Sequence, residues 1–179
     1  MTHITLAVTG SISAYKAADI TSQLTKLGFE VKVLMTPSAQ KFITPLTLQV
    51  LSKNPVGLEV TVEDDPQRIE HIDIGKETDL FLVAPASANT IAKLAMGLAD
   101  NMVTSTALAL PQRTKKLLAP AMNTKMLDHP ATQRNLKLLQ DYGYQIIQPR
   151  EATLACGDQG SGALATVDTI IQAVKENCL

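Results

Sequence analysis

The segment DLFLVAPASANT (residues 79–90) decides the fold class, because it joins an apolar strand directly to the start of a helix. Residues 79–84 form the strongest buried-strand pattern in the chain, and Pro85 ends it. A helical pattern then runs over residues 87–96. A strand that is apolar throughout, instead of alternating with polar residues, is typical of a parallel sheet covered by helices on both faces.

Strand and helix patterns alternate in the same way on both sides of this segment. Further strands are predicted at residues 4–9, 30–35, 115–119 and 144–147, with an ambiguous one at 56–62. Further helices are predicted from Ser13 to Gly28 and at residues 46–51, 101–110, 130–142 and 166–174. The strand at 144–147 is expected to be the last, followed by a loop with three glycines. This order predicts an α/β fold with a doubly wound parallel sheet, helices on both faces and a single domain over residues 1–179.

The composition narrows the possible partners. The chain has 16 Lys and Arg against 17 Asp and Glu, so its charge gives no reason to expect nucleic acid or an anionic membrane as a partner. No apolar run reaches the roughly 18 residues of a membrane span, and we expect a cytoplasmic protein. The cysteines, Cys156 and Cys178, form neither a disulfide framework nor a metal-ligand cluster, so no metal is expected. The scarcity of aromatic residues, 3% of the chain, is a weak indication of oligomerisation.

The loops after the first two strands suit a phosphate group. Gly10 permits a tight turn, and the N–H groups and dipole of the following helix favour an anion. The three-glycine dinucleotide fingerprint is absent, and the hydroxyls of Thr36 and Ser38 stand where an acidic residue would hold a ribose. This favours one phosphate over the pyrophosphate of NAD. The alternative is a plain helix cap by Ser11 or Ser13.

Residues 87–90 also combine small and polar side chains at the start of a predicted helix. Their small side chains would let a flat ring approach the backbone, and their hydroxyl and amide groups could bind ring carbonyls and nitrogens. Helix capping is again the alternative. Two such loops at one edge of a sheet favour a flat, phosphorylated cofactor.

Three further residues are candidates for chemistry. His71 could act as a base, although a single histidine is more often a surface or packing residue, and His3 and His129 compete with it. Cys156, in the glycine-rich loop, could donate a proton or could be a small buried hydrophobic residue. Asn123 offers a donor and an acceptor to a carboxylate or amide.

Taken in order, these motifs resemble the homo-oligomeric flavin-containing cysteine decarboxylases. The resemblance spans residues 4–173 and rests on five features. They are GSISAYK at 10–16, His71, PASANT at 85–90, PAMNTKM at 120–126, and Ala155-Cys156-Gly157. One departure is Leu127, which stands where the family usually has Trp, and it affects packing near Met126.

The resemblance implies a Rossmann- or flavodoxin-like domain that binds FMN and decarboxylates a cysteine derivative. In that chemistry the substrate's CH2–SH group is oxidised to a thioaldehyde, CO2 leaves, and the resulting enethiolate is reduced again. The implied roles are oxidative decarboxylation for His71, final protonation for Cys156, substrate carboxylate or amide binding for Asn123, and shaping of the substrate site for Met126. The residues expected to bind the cofactor are Gly10, Ser11, Ile12, Thr36, Ser38, Ser87, Ala88, Asn89, Thr90 and Ala121.

The resemblance also implies binding partners and suggests alternative functions. We expect a small-molecule substrate, a homotrimer or an assembly of trimers with the site at a subunit boundary, and a separate synthetase, because the chain ends at Leu179 without the synthetase domain that many relatives carry. A flavin prenyltransferase is disfavoured by His71, Asn123 and Cys156 together. A non-catalytic phosphatase-inhibiting relative is disfavoured by Cys156. A peptidyl-cysteine decarboxylase stays open.

Overall fold

The computed structural model describes residues 1–62, 67–153, 157 and 159–178. The strands are β1 (His3–Val8), β2 (Glu30–Met35), β3 (Leu80–Ala86), β4 (Lys115–Pro120), β5 (Tyr144–Ile146), β6 (Arg150–Thr153) and β7 (Gln159–Ala163). The helices are α1 (Ala17–Lys26), α2 (Pro45–Ser52), α3 (Glu70–Glu77), α4 (Ala88–Met96), α5 (Met102–Ala109), α6 (Thr124–Asp128), α7 (Pro130–Asp141) and α8 (Val167–Cys178).

The first five strands form one parallel sheet in the order β2-β1-β3-β4-β5. In this order the chain moves outward from β1 to β2 and then crosses back to β3 on the other side of β1. Ile4 therefore has Val31 as its register partner on one side and Leu80 on the other. The direction of winding reverses between β1 and β3, and in folds of this kind ligands bind beyond the carboxyl ends of the strands at that reversal. The predicted doubly wound α/β fold is confirmed.

Each face of the sheet has its own apolar core. Leu80 and Leu82 point to the face where α1 and α8 pack, whereas Phe81 and Val83 point to the face covered by α4, α5 and α7. All seven residues of β3 are buried. Burial on both faces explains why the strand is apolar throughout instead of alternating.

Two segments before β3 differ from what the sequence predicted. No strand forms at residues 56–62, where Gly57 makes only a single bridge to Leu34. The second is α3, which carries His71 and was not predicted as a helix. Because glycine disfavours a helix interior, the sequence around Gly75 did not predict α3. In the fold Gly75 lets α3 approach α5 closely, since a Cβ there would stand 3.1 Å from the Ala109 carbonyl oxygen.

The strand at 144–147 is not the last one, contrary to the prediction. β6 and β7 follow it and pair as an antiparallel hairpin. The glycines of β7 are typical of a loop, so the sequence predicted a loop here. The backbone conformation and packing at position 162 nevertheless require glycine. The φ of Gly162 is +130°, and a Cβ would lie 2.3 Å from the carbonyl oxygen of Met122.

The first and last helices depart less from the prediction. The helix expected from Ser13 starts as a 3-10 turn over Ile12–Lys16, and the α-helix proper begins at Ala17. Thr166 caps α8 by accepting through its Oγ1 from the backbone N–H of Thr169 at 3.1 Å.

The helices in the described ranges are short. The longest, α7 and α8, have 12 residues each, and in the described part of the chain none is long and apolar enough to cross a membrane.

Candidate functional site

A cleft of about 330 Å³ opens at the carboxyl edge of the sheet, where the winding reverses between β1 and β3. This volume is within the range of small-molecule sites. The lining residues are Gly10, Thr36, Pro37, Ser38, Ser87, Ala88, Asn89, Thr90, Lys93, Asp100, Asn101 and Met126. Seven of the ten residues expected to bind the cofactor are in this set, as is Met126. The structure therefore brings together loops that are far apart in the sequence.

Thr9 connects the end of β1 to the loop that carries Ser87. It is fully buried at the end of β1. Its Oγ1 donates to the carbonyl oxygen of Pro85 at 2.7 Å and accepts from the backbone N–H of Ser87 at 2.9 Å. The hydroxyl thus fixes the start of the Ser87 loop against β1. Thr9 was not among the predicted site residues, although a polar residue at the end of an apolar strand was a usable signal.

Gly10 allows the loops after β1 and β2 to touch. A Cβ on Gly10 would stand 2.5 Å from the Cβ of Ser38, so any larger residue would push the two loops apart. Ser11 Oγ accepts from the backbone N–H of Ser13 at 3.3 Å, and Thr36 Oγ1 accepts from that of Ala39 at the same distance. The result is a tight, hydroxyl-lined recess that suits a phosphate group.

The start of α4 forms the next part of the wall. Ser87 caps this helix by accepting from the backbone N–H of Thr90 at 3.3 Å, so the capping alternative holds for Ser87. Ala88 is small, and Asn89 is exposed in the cleft. Small side chains beside a helix N-terminus leave room for a flat ring and offer it polar atoms. The cleft as a whole fits a flat, phosphorylated cofactor.

Four lining residues were not predicted: Pro37, Lys93, Asp100 and Asn101. Asn101 caps α5 in a capping box, in which its Oδ1 accepts from the backbone N–H of Thr104 at 3.2 Å. Asp100 precedes this cap and forms an ion pair with Lys93 of α4. Lys93 lowers the pKa of the Asp100 carboxyl below its ordinary value, chiefly by hydrogen bonding to it. The Asp-Asn pair before a helix was the signal available in the sequence.

The segment 120–126 packs against the hairpin of β6 and β7. The backbone N–H of Met122 donates to the carbonyl oxygen of Gly162 at 2.9 Å, and Thr124 Oγ1 donates to that of Ser161 at 2.6 Å. Asn123 caps α6, its Oδ1 accepting from the backbone N–H of Lys125 at 2.9 Å. Met126, on the same helix, is half exposed at the cleft. This packing connects the hairpin to the cleft wall.

The remaining expected residues are placed less directly. Cys156 lies outside the described residues, between β6 and β7 in the sequence. Ser11 and Ile12 border the turn but do not line the cleft, and Ile12 is largely exposed. Ala121 is buried, and its backbone N–H donates to the carbonyl oxygen of Ala86 at 3.1 Å, which joins the ends of β3 and β4.

His71 lies on α3 and does not line the cleft of its own chain. Its Nδ1 is buried without a hydrogen-bond partner among the described residues. The two competing histidines are otherwise explained. His129 Nδ1 caps α7 by accepting from the backbone N–H of Ala131 at 3.1 Å, and His3 stands at the opposite, amino edge of the sheet.

Positive charge gathers beside the hairpin. Burial and the nearby charge of Arg150 lower the pKa of the Lys16 ammonium below its ordinary value. Arg150 begins β6 and donates through Nε to the carbonyl oxygen of Leu164 at 3.2 Å. Among the described residues, neither cation forms a salt bridge. This side of the molecule therefore suits an anionic ligand.

The fold and the cleft define a doubly wound α/β protein with a ligand site at the winding reversal. The chain belongs to the flavoprotein family, whose model matches residues 1–179.

Individual relatives extend this likeness. The chain is 65% identical over 173 residues to a probable phosphopantothenoylcysteine decarboxylase of Streptococcus mutans, covering 97% of each chain. It is 45% identical to the coenzyme A biosynthesis bifunctional protein CoaBC of Bacillus subtilis, covering 98% of this chain and 43% of that protein.

Two solved structures are also similar. One is a PPC decarboxylase mutant complexed with pantothenoylaminoethenethiol, with a TM-score of 0.90, 31% identity, and coverage of 98% of this chain and 97% of that one. The other is the FMN binding protein AtHal3, with a TM-score of 0.86, 32% identity, and coverage of 98% and 95%.

Proposed function

We propose that this chain is an FMN-dependent phosphopantothenoylcysteine decarboxylase, a carboxy-lyase of coenzyme A biosynthesis. The observation that carries the proposal is a single cleft at the β1/β3 reversal that joins a phosphate-type turn, a small-residue helix start and the 120–126 segment with its hairpin. The 65% identity to a probable enzyme of this name supports the same activity. The unit that performs it is the whole of residues 1–179, acting as one flavoprotein domain.

FMN is the cofactor that the cleft fits. The Gly10 turn and the hydroxyls of Thr36 and Ser38 hold its phosphate, while residues 87–90 line the place of the ring. A bound flavin supplies a reversible two-electron acceptor, which a cysteinyl carboxylate needs because direct loss of CO2 would leave an unstabilised carbanion. The solved FMN binding protein with the same fold supports this choice.

The substrate is held and protonated by residues other than those of the phosphate-type turn. Asn123 binds the substrate carboxylate or amide, and Met126 shapes the adjoining wall. His71 acts in oxidative decarboxylation, and Cys156 donates the proton that completes the product. Support for this division comes from the order of the motifs in the sequence and from the packing of the hairpin on the 120–126 segment.

A homotrimer, or an assembly of trimers, explains where His71 lies. It does not line its own chain's cleft, so in the oligomer it serves the cleft of a neighbouring subunit. Exposed apolar side chains lie on the segments that follow β1, β2 and β4, where a neighbouring subunit would cover them. They are Ile12, Tyr15, Phe42, Leu46, Val50 and Met126, each between 46% and 66% exposed. Burying such groups between subunits would stabilise the assembly.

We further propose that the enzyme acts in the cytoplasm on a substrate that a synthetase activity makes. The match to 43% of a bifunctional coenzyme A biosynthesis protein supports a functional link to a second activity. The cationic pair of Lys16 and Arg150 supports an anionic substrate.

The test is an anaerobic assay of the purified, FMN-loaded protein with phosphopantothenoylcysteine. We expect CO2 and phosphopantetheine in equal amounts, without added oxidant or reductant. Denaturing the protein and chromatographing the released cofactor should give FMN. Recovery of FAD instead would contradict the cofactor assignment, and an FMN-loaded protein that releases no CO2 would contradict the activity.

The same assay separates the rivals. A peptide with a C-terminal cysteine should be a poor substrate. If it is decarboxylated much faster than phosphopantothenoylcysteine, the chain is a peptidyl-cysteine decarboxylase. Transfer of a prenyl group to the flavin would identify a prenyltransferase, and phosphatase inhibition without CO2 release would identify the non-catalytic class.

A further inference from the structure

The wall of the cleft formed by α4 and α5 carries an ion pair. Lys93 Nζ donates to Asp100 Oδ2, and Asn101 Nδ2 donates to Asp100 Oδ1 at 2.9 Å. Both carboxylate oxygens are therefore engaged. All three residues line the cleft, so Asp100 holds the ammonium of Lys93 against the space that the cofactor is proposed to fill.

The pair is poorly explained by stability alone. The start of α5 is already capped by Asn101 and Thr104. The Asp100 side chain is 56% exposed, and an ion pair with an exposed partner usually contributes little to stability. The Lys93 side chain is only 23% exposed, and it is the one basic residue among the described residues that line the cleft.

The pair is also poorly suited to bind phosphate. A phosphate group on Lys93 would lie beside the Asp100 carboxylate and be repelled by it. Gly10, Thr36 and Ser38 already form a separate phosphate-type recess. A cation held in place by a carboxylate is instead suited to adjusting the charge balance of a ring whose own charge changes during the reaction.

We propose that the Lys93–Asp100 pair sets the reduction potential of the bound flavin. This inference rests on the proposed function. Reduction makes a flavin more electron-rich, so the ammonium of Lys93 favours the reduced form and the carboxylate of Asp100 opposes it. The electrons concerned leave the substrate's thiol-bearing carbon and return after CO2 is lost, so no external oxidant or reductant takes part.

The two members of the pair therefore predict shifts of opposite sign. Lys93→Gln removes the cation and should lower the midpoint potential by about 30 mV or more, a tenfold change in a two-electron equilibrium. Asp100→Asn removes the anion and should raise the potential. Lys93→Arg keeps the positive charge and should stay close to wild type.

The experiment measures the midpoint potential of each FMN-loaded variant against a redox dye, together with its FMN and riboflavin dissociation constants and Tm. Lys32→Gln is the matched control, because it removes a similar ion pair, Lys32 with Glu70, that does not line the cleft. This control should leave the potential unchanged.

Four results would overturn the inference. A purely structural pair would move the potentials of Lys93→Gln and Asp100→Asn in the same direction, in step with Tm. A phosphate-binding Lys93 would weaken FMN but not riboflavin when replaced, with the potential unchanged. Normal FMN content with unchanged potentials would refute this inference alone, whereas a wild-type protein that binds no FMN would refute the proposed function as well.

Discussion

The two edges of the sheet carry cavities of similar size and different chemistry. The carboxyl-edge cleft, of about 330 Å³, is lined by glycine, alanine, hydroxyl and amide side chains near the start of two helices. In the amino-edge cavity, of about 370 Å³, half of the lining residues are charged, and most of these lie on β2 and α3. Size alone would favour the amino edge.

Most of the charged groups at the amino edge already bind one another. Lys32 pairs with Glu70 at 3.1 Å, and Arg68 pairs with Asp73 at 3.0 Å. Asn54 donates through Nδ2 to Glu30 Oε1 at 2.8 Å. A ligand at the amino edge would have to displace these contacts. The carboxyl edge instead offers the N-termini of α4 and α5 and small side chains that leave room for a flat ligand ring. A ligand site is therefore identified by polar groups that remain available to bind a ligand, and not by cavity size.

The largest effects should come from the two residues that we propose to act in the chemistry. Cys156→Ser should slow product formation by roughly 10² to 10⁴-fold, because a hydroxyl is a far weaker acid than a thiol. CO2 should still be released in a single turnover, with reduced flavin accumulating. His71→Asn should release no CO2 and leave the flavin oxidised. Stopped-flow absorbance with CO2 detection measures both.

Both variants should still contain FMN, since neither residue belongs to the sequence motifs proposed to bind the phosphate. Wild-type turnover in Cys156→Ser would show that another group is the acid. Arrest of both variants before CO2 release would contradict the division of roles while leaving the cleft assignment intact.

The next largest effect tests the recess itself. Gly10→Ala places a Cβ 2.5 Å from that of Ser38 and should weaken FMN binding about 100-fold, or roughly 3 kcal/mol. The control is Gly57→Ala, whose Cβ would stand 2.6 Å from Leu34 Cδ2, a crowded position that does not line the cleft. Flavin fluorescence titration should show normal FMN affinity in the control. Equal losses in both variants would mean that general destabilisation is responsible.

A smaller effect is expected below the cleft. Thr9→Val keeps the shape of the side chain but leaves the carbonyl of Pro85 and the N–H of Ser87 without their hydroxyl partner. Unpaired buried polar groups cost about 1–3 kcal/mol, so urea unfolding should show a loss of that size. FMN should bind less tightly because the Ser87 loop is released. A variant with full stability and full FMN affinity would show that Thr9 does not hold the loop.

The smallest effect is expected at the amino edge. Lys32→Gln removes the pair with Glu70 and should change the free energy of unfolding by no more than about 1 kcal/mol, as is usual for partly exposed ion pairs. Activity and FMN affinity should be unchanged. A tenfold loss of either would break the contrast between the two edges.

Apolar patterning predicted the sheet well because β3 and its neighbours are buried on both faces. It failed where glycine serves packing. Because of Gly75 the sequence did not predict α3, and because of Gly162 it did not predict β7. Both positions need glycine because another backbone segment approaches closely there, which only the folded chain shows. The motifs predicted most of the cleft lining, but not Lys93, Asp100 or the buried Thr9. Their contribution depends on helices and strands that meet only in three dimensions.

The central claim is that the carboxyl-edge cleft holds FMN. The most direct measurement is the difference electron density of a crystal of the FMN-loaded protein. The account predicts the phosphate beside Gly10 and Ser38 and the ring against residues 87–90. Flavin density in the amino-edge cavity beside Lys32 and Glu70, with the carboxyl-edge cleft filled only by solvent, would contradict it.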